Sequence, residues 1–338
     1  METKNVRIAI NGFGRIGRSF FRSTFELPGL DVVAVNDLTD THTLAYLLKY
    51  DSVYGRYQKS VEAVDGILRV DGKEIKVLAE IDPTLLPWKD LGIDIVIEST
   101  GFFTDGEKAA AHMSAGAKRV VITAPAKGDV TTALIGVNDD RFEKPLPITC
   151  NASCTTNSVA PVIAILHESL GVQKASMTTV HSYTATQKLV DGPDAKDLRR
   201  GRAAAVNIVP SSTGAAEAVT EAIPDLKGKF DAVSLRIPSI TGSLSVVTAL
   251  VNTPTTAEAI NALFISASNM PRWSSVLSVT HDPLVSTDII GQPYGALIDA
   301  SLTKVTDGNL ITVFSWYDNE AGYTATLVEH VKRVAQNL

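Results

Sequence analysis

Cysteine and long apolar runs are scarce in this sequence, and both shortages limit what the protein can be. Only two of its 338 residues are cysteine, Cys150 and Cys154, too few for a disulfide framework and too close together for an unaided structural zinc site. The apolar run over residues 159–166 is interrupted by Pro161 and is well short of the ~18 residues of a membrane span. The apolar stretch after Arg7 is too brief for a signal-peptide core. We therefore expect a cytoplasmic protein without a metal site.

Positive charge is also in deficit. Lysine and arginine together number 31 against 37 aspartates and glutamates, a net charge of −6, which argues against an electrostatic grip on nucleic acid or an anionic membrane. Apolar residues make up 45% and charged residues 20% of the chain, as in ordinary globular proteins. The length favours two domains, since domains usually have about 100–200 residues.

The first half of the chain alternates between strand and helix patterns. A strand at residues 6–10, a helix ending near 25 and a strand at 30–36 form a βαβ unit. Apolar strands follow at 93–98 and 119–122. We expect residues 1–152 to form a Rossmann-type, doubly wound parallel sheet in an α/β domain.

The pattern changes after residue 153. Longer strands are predicted at residues 174–181, 232–237, 244–251 and 310–316. They indicate an α+β catalytic domain over 153–319 with a mixed or antiparallel sheet. Residues 320–338 have the apolar spacing of a helix, which we expect to pack back on the first domain. The stretch between the first two of these strands includes residues 182–207, which lack a clear period. Such long loops tend to be functional or disordered.

Three glycines separate the first strand from the first helix. Gly12, Gly14 and Gly17 form a GxGxxG motif, which permits a tight turn and a close backbone approach to a pyrophosphate at the helix N-terminus. Asp37 comes directly after the second strand and about 20 residues after Gly17. This is the spacing expected of a carboxylate that binds an adenosine ribose. The pattern predicts dinucleotide binding, with NAD favoured over NADP; a plain turn with a capping aspartate is the alternative. Arg15 could be a solvated helix residue or a pyrophosphate contact.

Cys154 lies at the start of a predicted helix rich in capping residues. A helix N-terminus lowers a thiol pKa, and His181, at the end of the next strand, could complete the activation of a nucleophile. A buried apolar cysteine and a hydrogen-bonded histidine are the alternatives, and we assign no role to Cys150. A thiolate beside a nicotinamide would attack an aldehyde, and transfer of a hydride would leave a thioester.

These residues belong to motifs that resemble phosphorylating glyceraldehyde-3-phosphate dehydrogenases, and the resemblance runs over essentially the whole chain. The motifs cover residues 9–18, 35–38, 99–103, 151–157, 181–187, 210–216 and 316–320. The resemblance implies that Cys154 is the nucleophile and that His181 is the base that takes up the hemithioacetal proton as hydride moves to NAD. Inorganic phosphate would then convert the thioester of D-glyceraldehyde 3-phosphate into 1,3-bisphosphoglycerate.

The resemblance also implies the binding residues. Thr184 and Arg236 would hold the C3 phosphate of the substrate. The attacking inorganic phosphate would be held by Ser153, Thr155, Thr213 and Gly214. The cofactor site would comprise Gly12, Gly14, Arg15, Ile16, Gly17, Asp37, Thr100, Thr123, Asn319 and Tyr323. In this family the loop after His181 builds a homotetramer.

The strand pattern supports one of these assignments independently. Along residues 232–237, Val233 and its apolar neighbours share one face, and Arg236 lies on the other with Ser234. An arginine on the polar face suits an anion, although a structural salt bridge would explain it nearly as well.

Several residues differ from the family pattern. Ser158 stands where many members carry a second cysteine, and Cys150, Tyr54, Ala321 and the loop 239–242 also depart from it. These differences affect expectations about substrate preference and oxidation more than reaction class. The alternatives are an erythrose-4-phosphate dehydrogenase in which water resolves the thioester, an RNA-binding role at the dinucleotide site, and a degenerate, non-catalytic subunit.

Overall fold

The computed structural model describes residues 5–195 and 197–338, which divide into two compact units. The first unit runs to Ala133 and adds residues 139–152 and 327–338; the second comprises residues 134–138 and 153–326. The predicted first domain also includes residues 1–4, which lie outside the described residues.

The first unit is built on strands that alternate with helices. Its strands are β1 (Val6–Asn11), β2 (Leu30–Asn36), β3 (Val61–Val64), β4 (Ile67–Val70), β5 (Lys73–Leu78), β6 (Ile95–Glu98), β7 (Arg119–Ile122), β8 (Thr131–Thr132) and β9 (Ile148–Cys150). Its helices are α1 (Arg15–Thr24), α2 (Thr41–Lys49) and α3 (Gly106–Ser114). In the described residues the strands form one sheet in the order β3-β4-β5-β2-β1-β6-β7-β9-β8. The predicted Rossmann-like parallel sheet is confirmed over the strands β5-β2-β1-β6-β7-β9-β8, which all pair in parallel.

The sheet extends beyond this prediction through an antiparallel edge formed by β3, β4 and β5. Two Asp-Gly pairs connect these strands, Asp65 with Gly66 and Asp71 with Gly72, and all four residues have φ between 46° and 81°. Positive φ at both central residues is the geometry of a tight type I′ hairpin, which Asp-Gly favours. The sequence therefore contained the signal for these hairpins.

Two close approaches fix the turn between β1 and α1. Gly12 has φ +90°, and a Cβ there would lie 2.7 Å from the backbone nitrogen of Thr100. A Cβ on Gly17 would lie 2.3 Å from the carbonyl oxygen of Gly12. Gly14, by contrast, has nothing within 4 Å of a Cβ position. The outer glycines are thus needed for packing, and the middle one leaves open space beside the helix N-terminus.

The second unit has a mixed sheet. Its strands are β10 (Val172–Ser182), β11 (Val209–Ser211), β12 (Phe230–Ile237), β13 (Ser243–Val251), β14 (Leu277–Thr280), β15 (Ala296–Asp299), β16 (Lys304–Thr306) and β17 (Leu310–Tyr317). Its helices are α4 (Cys154–Leu170), α5 (Ala215–Ala222) and α6 (Ala257–Ser268), and α7 (Ala321–Ala335) starts in this unit. In the described residues the order is β11-β12-β10-β13-β17-β15-β14, with β16 beside β17. β10 and β12 are parallel, whereas β13 is antiparallel to β10 and β17. The predicted mixed sheet is confirmed.

Helix α4 lies against strands of this sheet and is buried on all sides over residues 155–166. Such all-round burial is typical of a core helix. Ser153 caps its N-terminus by accepting a hydrogen bond from the Thr156 N–H at 3.0 Å. Gly171, in the left-handed region at φ 68°, ends it. The position of the first turn of α4 is therefore set by the core.

The two compact units differ from the predicted domain limits at two places. Residues 134–138 belong to the second unit, because Gly136 lies under Trp273 and its carbonyl accepts a hydrogen bond from Arg272 at 2.5 Å. Helix α7 starts in the second unit, and only its part from Leu327 onward belongs to the first. There, His330 contacts Thr149 at 2.7 Å and the Ala133 carbonyl at 3.1 Å.

Across residues 5–195 and 197–338, every helix is too short or too polar to cross a bilayer.

The glycine turn provides a test of packing. We expect Gly17→Ala to lower the free energy of unfolding by about 1–3 kcal/mol, because the added methyl group overlaps the Gly12 carbonyl and forces the turn apart. Gly14→Ala is the matched control and should change stability by less than about 0.5 kcal/mol, since its methyl group meets no atom. Urea unfolding of the two variants without ligand would measure both. Equal losses in both variants would contradict this account of the turn.

Candidate active site

A cleft of about 600 Å³ opens at the carboxyl ends of the parallel strands of the first unit. It is lined by Asn11, Gly12, Gly14, Asn36, Asp37, Leu38, Glu80, Ile81, Ser99, Thr100, Phe102 and Phe103. Three of its apolar residues are unusually exposed: Leu38 at 64%, Ile81 at 75% and Phe102 at 79%. Exposed apolar side chains around a cleft often mark a ligand site.

The cleft contains features that fit a dinucleotide. The open space at Gly14 lies beside the α1 N-terminus, where the helix dipole favours phosphate. Asp37 accepts hydrogen bonds from the Phe13 N–H at 2.8 Å and the Thr39 N–H at 3.0 Å. Each carboxylate oxygen can accept a further bond, so Asp37 both fixes the glycine turn and retains capacity for a ribose hydroxyl.

A buried carboxylate supports the floor of this cleft. Glu98 is 1% exposed and accepts four hydrogen bonds, from Asn11 Nδ2 at 2.6 Å, His112 Nε2 at 3.0 Å, Thr100 N at 2.9 Å and the Thr100 hydroxyl. The Trp88 indole, which can only donate, points to Nδ1 of His112 at 3.1 Å. The imidazole proton therefore lies on Nε2, facing Glu98. Sequence reasoning missed this network because its members are far apart in the chain.

Not every predicted cofactor residue lines the cleft. Thr100 does, as do Gly12 and Gly14. Gly17 is covered by the Gly12 carbonyl, Ile16 is half-buried in α1, and Thr123 follows β7, its N–H bonded to the Glu98 carbonyl. Arg15 forms a two-pronged ion pair with Asp51 at 2.9 and 3.3 Å. Its guanidinium is therefore held by this ion pair and is not surrounded by solvent alone.

In the second unit, Cys154 is the first residue of α4. Its sulfur lies 3.4 Å from Nε2 of His181, at the end of β10. The parallel register of β10 and β12 pairs His181 with Arg236, and Arg236 Nη1 lies 2.6 Å from His181 Nδ1. Three residues from separate elements thus meet as a thiol, an imidazole and a guanidinium.

Burial controls the charges of this group. It raises the pKa of the Cys154 thiol, while the charge of Arg236 and hydrogen bonds from Thr155 act in the opposite direction. The sequence-based expectation of a depressed thiol pKa took account of the helix N-terminus alone and is corrected by this burial. Burial and, secondarily, Arg236 lower the pKa of His181 to about 3. The imidazole is therefore neutral near pH 7, with one nitrogen able to accept a proton.

Hydroxyl groups surround the first turns of α4. The Tyr317 hydroxyl lies 3.1 Å from Thr155 Oγ1 and 2.7 Å from Thr179 Oγ1, and its ring contacts His181 edge-on. One turn beyond Cys154, the Ser158 hydroxyl donates to Ser245 and contacts Ser315, both at 3.2 Å. Tyr317 lies in the motif at residues 316–320, but nothing in the sequence indicated that its hydroxyl contacts Thr155 and Thr179.

The predicted phosphate-binding residues lie on several segments. Thr184 is half-buried with its hydroxyl 2.9 Å from that of Thr186. Thr213 Oγ1 accepts a hydrogen bond from Ala215 N, and Gly214 is the exposed residue preceding α5. On β12, Ser234 is buried as a neighbour of Arg236 in the pleat, whereas Val233 is 41% exposed. The apolar face expected for this strand is therefore partly open.

Asn319 is held in a defined orientation. Its Oδ1 accepts a hydrogen bond from the Ser243 hydroxyl at 2.9 Å. The Thr241 hydroxyl is 3.1 Å from the same oxygen and 2.9 Å from Asp318 Oδ1. Ser243 Oγ in turn accepts a hydrogen bond from Ser182 N. With its oxygen used in this way, Asn319 has its amide hydrogens left for a carbonyl acceptor.

Tyr323 is buried in α7. Among the described residues, no cluster of three or more histidine, cysteine or acidic side chains could hold a metal.

Comparisons with known proteins place both units in one family. The model for the glyceraldehyde 3-phosphate dehydrogenase NAD binding domain matches residues 6–106, and the model for the C-terminal domain matches 153–319. Proteins named glyceraldehyde-3-phosphate dehydrogenase are similar over nearly their full lengths. That of Thermotoga maritima is 55% identical, covering 96% of this chain and 97% of its own. That of Clostridium acetobutylicum is 50% identical over 95% and 96%, and that of Borreliella burgdorferi is 48% identical over 98% and 100%.

The buried Glu98 network makes a prediction about the cleft. Glu98→Gln replaces one acceptor oxygen by an NH₂ group among four donated hydrogen bonds, which should cost about 1–3 kcal/mol of stability. Because Thr100 and Asn11 lose a common anchor, NAD binding measured by calorimetry should weaken.

The control is Glu107→Gln at the exposed start of α3, which makes the same chemical change outside the network. Wild-type NAD affinity in the Glu98 variant would show that the carboxylate does not hold the cleft.

Proposed function

The chain belongs to the glyceraldehyde-3-phosphate dehydrogenase family, and from this premise we propose which of its residues carry out the reaction. The protein binds NAD and catalyses the oxidative phosphorylation of glyceraldehyde 3-phosphate in glycolysis. The observation that carries the residue assignment is the Cys154 thiol on the first turn of a buried helix, 3.4 Å from His181 Nε2. A nucleophile and a base within reach of each other support covalent catalysis.

Cys154 Sγ is the nucleophile in this proposal. The sulfur forms a bond to the aldehyde carbon, and the thiol proton is transferred to the aldehyde oxygen, giving a hemithioacetal. His181 Nε2 then accepts the hydroxyl proton as the carbonyl group re-forms. Bound NAD supplies an acceptor for the hydrogen and electron pair lost from the same carbon. A thioester on Cys154 remains.

Phosphate completes the turnover. An oxygen of inorganic phosphate bonds to the thioester carbon, the bond to Cys154 breaks, and the sulfur leaves with its electron pair. We assign the substrate C3 phosphate to Thr184 and Arg236, and the half-buried guanidinium beside the His181 imidazole supports this role. The attacking phosphate is assigned to Ser153, Thr155, Thr213 and Gly214. The Thr155 hydroxyl also lies 3.1 Å from the Tyr317 hydroxyl.

The cofactor assignment follows the same reasoning. Gly12, Gly14, Asp37 and Thr100 line the cleft that fits a dinucleotide. Asn319 offers amide hydrogens to the nicotinamide carboxamide, and its committed oxygen supports that orientation. The remaining assigned residues are Arg15, Ile16, Gly17, Thr123 and Tyr323. The ion pair with Asp51 fixes the guanidinium of Arg15 at the start of α1.

The domain limits and cellular location also remain proposals. Residues 1–152 with the C-terminal helix would bind NAD, and 153–319 would perform catalysis. A cytoplasmic location suits a protein whose two cysteines are both free, because a reducing compartment maintains free thiols.

A homotetramer is supported by an exposed apolar surface on the segment after His181. Four of its residues are Leu189, Val190, Leu198 and Val206, exposed by 81%, 73%, 87% and 77%. Such a surface on one segment favours protein contact, and the family resemblance assigns this segment to subunit contacts.

The reaction assignment predicts dependence on both Cys154 and inorganic phosphate. With NAD and D-glyceraldehyde 3-phosphate, NADH absorbance at 340 nm should continue through many turnovers only when phosphate is present. Cys154→Ser should reduce turnover by about 10³-fold or more, since the weaker hydroxyl nucleophile lacks activation.

The variant Cys150→Ser is the matched control and should retain activity. Phosphate-independent turnover by the wild-type protein would favour hydrolysis of the thioester instead. Repeating the assay with D-erythrose 4-phosphate separates the two aldehyde specificities.

The assembly proposal predicts that charge on the exposed apolar surface disrupts the tetramer. Val206→Asp should shift the mass measured by light scattering towards smaller species. In the tetramer its carboxylate would be buried without a partner in the subunit contact, which is costly. Val285→Asp, at a position with 58% exposure on a separate segment, is the control and should leave the mass unchanged. A tetramer with unaltered stability in the Val206 variant would remove this surface from the interface.

A further inference from the structure

His181 Nδ1 has two close neighbours that make opposite demands on it. The Ser182 carbonyl oxygen lies 2.6 Å away, and Arg236 Nη1 also lies 2.6 Å away. The carbonyl can only accept a hydrogen bond, whereas the guanidinium can only donate one. A neutral imidazole has either a proton or a lone pair on Nδ1, so it satisfies one of these partners at a time.

The choice determines the chemistry of the other ring nitrogen. If Arg236 donates to Nδ1, the ring proton is on Nε2 and points at the Cys154 sulfur, 3.4 Å away. If instead Nδ1 carries the proton and donates to the Ser182 carbonyl, Nε2 presents a lone pair. Only the second tautomer can accept the hydroxyl proton of the hemithioacetal.

The fold brings this competition about. β10 and β12 are parallel neighbours, and their register pairs His181 with Arg236. The imidazole is 2% exposed, so few other groups can bond to Nδ1. Arg236 Nη1 also lies 3.2 Å from the Ser182 carbonyl. This carbonyl oxygen can therefore accept a hydrogen bond either from the guanidinium or from a proton on Nδ1 of the imidazole.

We propose that the substrate's own C3 phosphate switches His181 into its active tautomer by drawing Arg236 away from Nδ1. The inference rests on the assignment of Arg236 to that phosphate in the proposed function. Once the guanidinium binds the phosphate dianion, the ring's single proton moves from Nε2 to Nδ1 by exchange with water, without change in net charge. Arg236 is then a positioning residue for the base as well as a binding residue. The phosphate should raise the rate of the chemical step in addition to affinity.

An aldehyde that lacks the phosphate separates these two effects. With D-glyceraldehyde, the first-turnover rate of NADH formation in the wild-type protein should be low and should rise about 3- to 10-fold with added phosphite dianion, as the active tautomer becomes more populated. Phosphite supplies the anion without a covalent link to the aldehyde. A rate that does not respond to phosphite at any concentration would overturn the proposal.

Replacement of Arg236 gives the opposite signature. In Arg236→Met the competitor for Nδ1 is absent, so the first-turnover rate with D-glyceraldehyde should exceed that of the wild type and become insensitive to phosphite. With D-glyceraldehyde 3-phosphate, the same variant should show a raised KM. Lys229→Met, which removes an exposed positive charge next to the start of the same strand, is the control and should behave as the wild type in both assays.

The outcomes distinguish the two levels of assignment. If Arg236→Met leaves KM for D-glyceraldehyde 3-phosphate unchanged, Arg236 does not bind the substrate phosphate and the proposed function itself is wrong at this residue. If KM rises but the rate with D-glyceraldehyde falls, Arg236 binds the phosphate and the tautomer switch is wrong. The phosphite experiment on the wild-type protein decides the matter even if the variant folds poorly.

Discussion

The burial of helix α4 is the constraint on which the catalytic unit depends. Its apolar residues fill the space against the second sheet, so its first turn has a fixed position, and Cys154 occupies that turn. The adjacent strands β10 and β12 then determine where His181 and Arg236 meet the thiol. Because the reacting groups lie at the ends of regular elements, the core packing itself supplies their alignment, as efficient catalysis requires.

The parts of this arrangement that depend on neighbouring residues could be predicted from the sequence. Glycine spacing between a strand and a helix predicted the turn at Gly12, because backbone conformation is a local property. The capping pattern likewise predicted that α4 begins near Cys154, which is its first residue. The antiparallel hairpins at Asp65 and Asp71 were equally local and were overlooked, although Asp-Gly pairs are a strong hairpin signal.

The rest depends on contacts between distant residues, which periodicity does not encode. Glu98 and His112 each look like ordinary polar residues in the sequence, and their significance follows from being buried together beneath the cleft. The phenol of Tyr317 reaches Thr155 and Thr179 only because β17 and α4 pack in one unit. Burial also alters the acid–base behaviour of Cys154 and His181 in a way that sequence proximity to a helix end does not reveal.

The hydroxyl cluster at Ser158 has a consequence for oxidative damage. A cysteine whose thiolate is oxidised to sulfenic acid is commonly rescued when a nearby thiol condenses with it to a disulfide. One helical turn from Cys154 this chain offers Ser158, whose hydroxyl is engaged with Ser245 and Ser315 and cannot form a sulfur–sulfur bond. A disulfide within α4 is therefore impossible. An oxidised Cys154 therefore needs a thiol from outside α4 to resolve it.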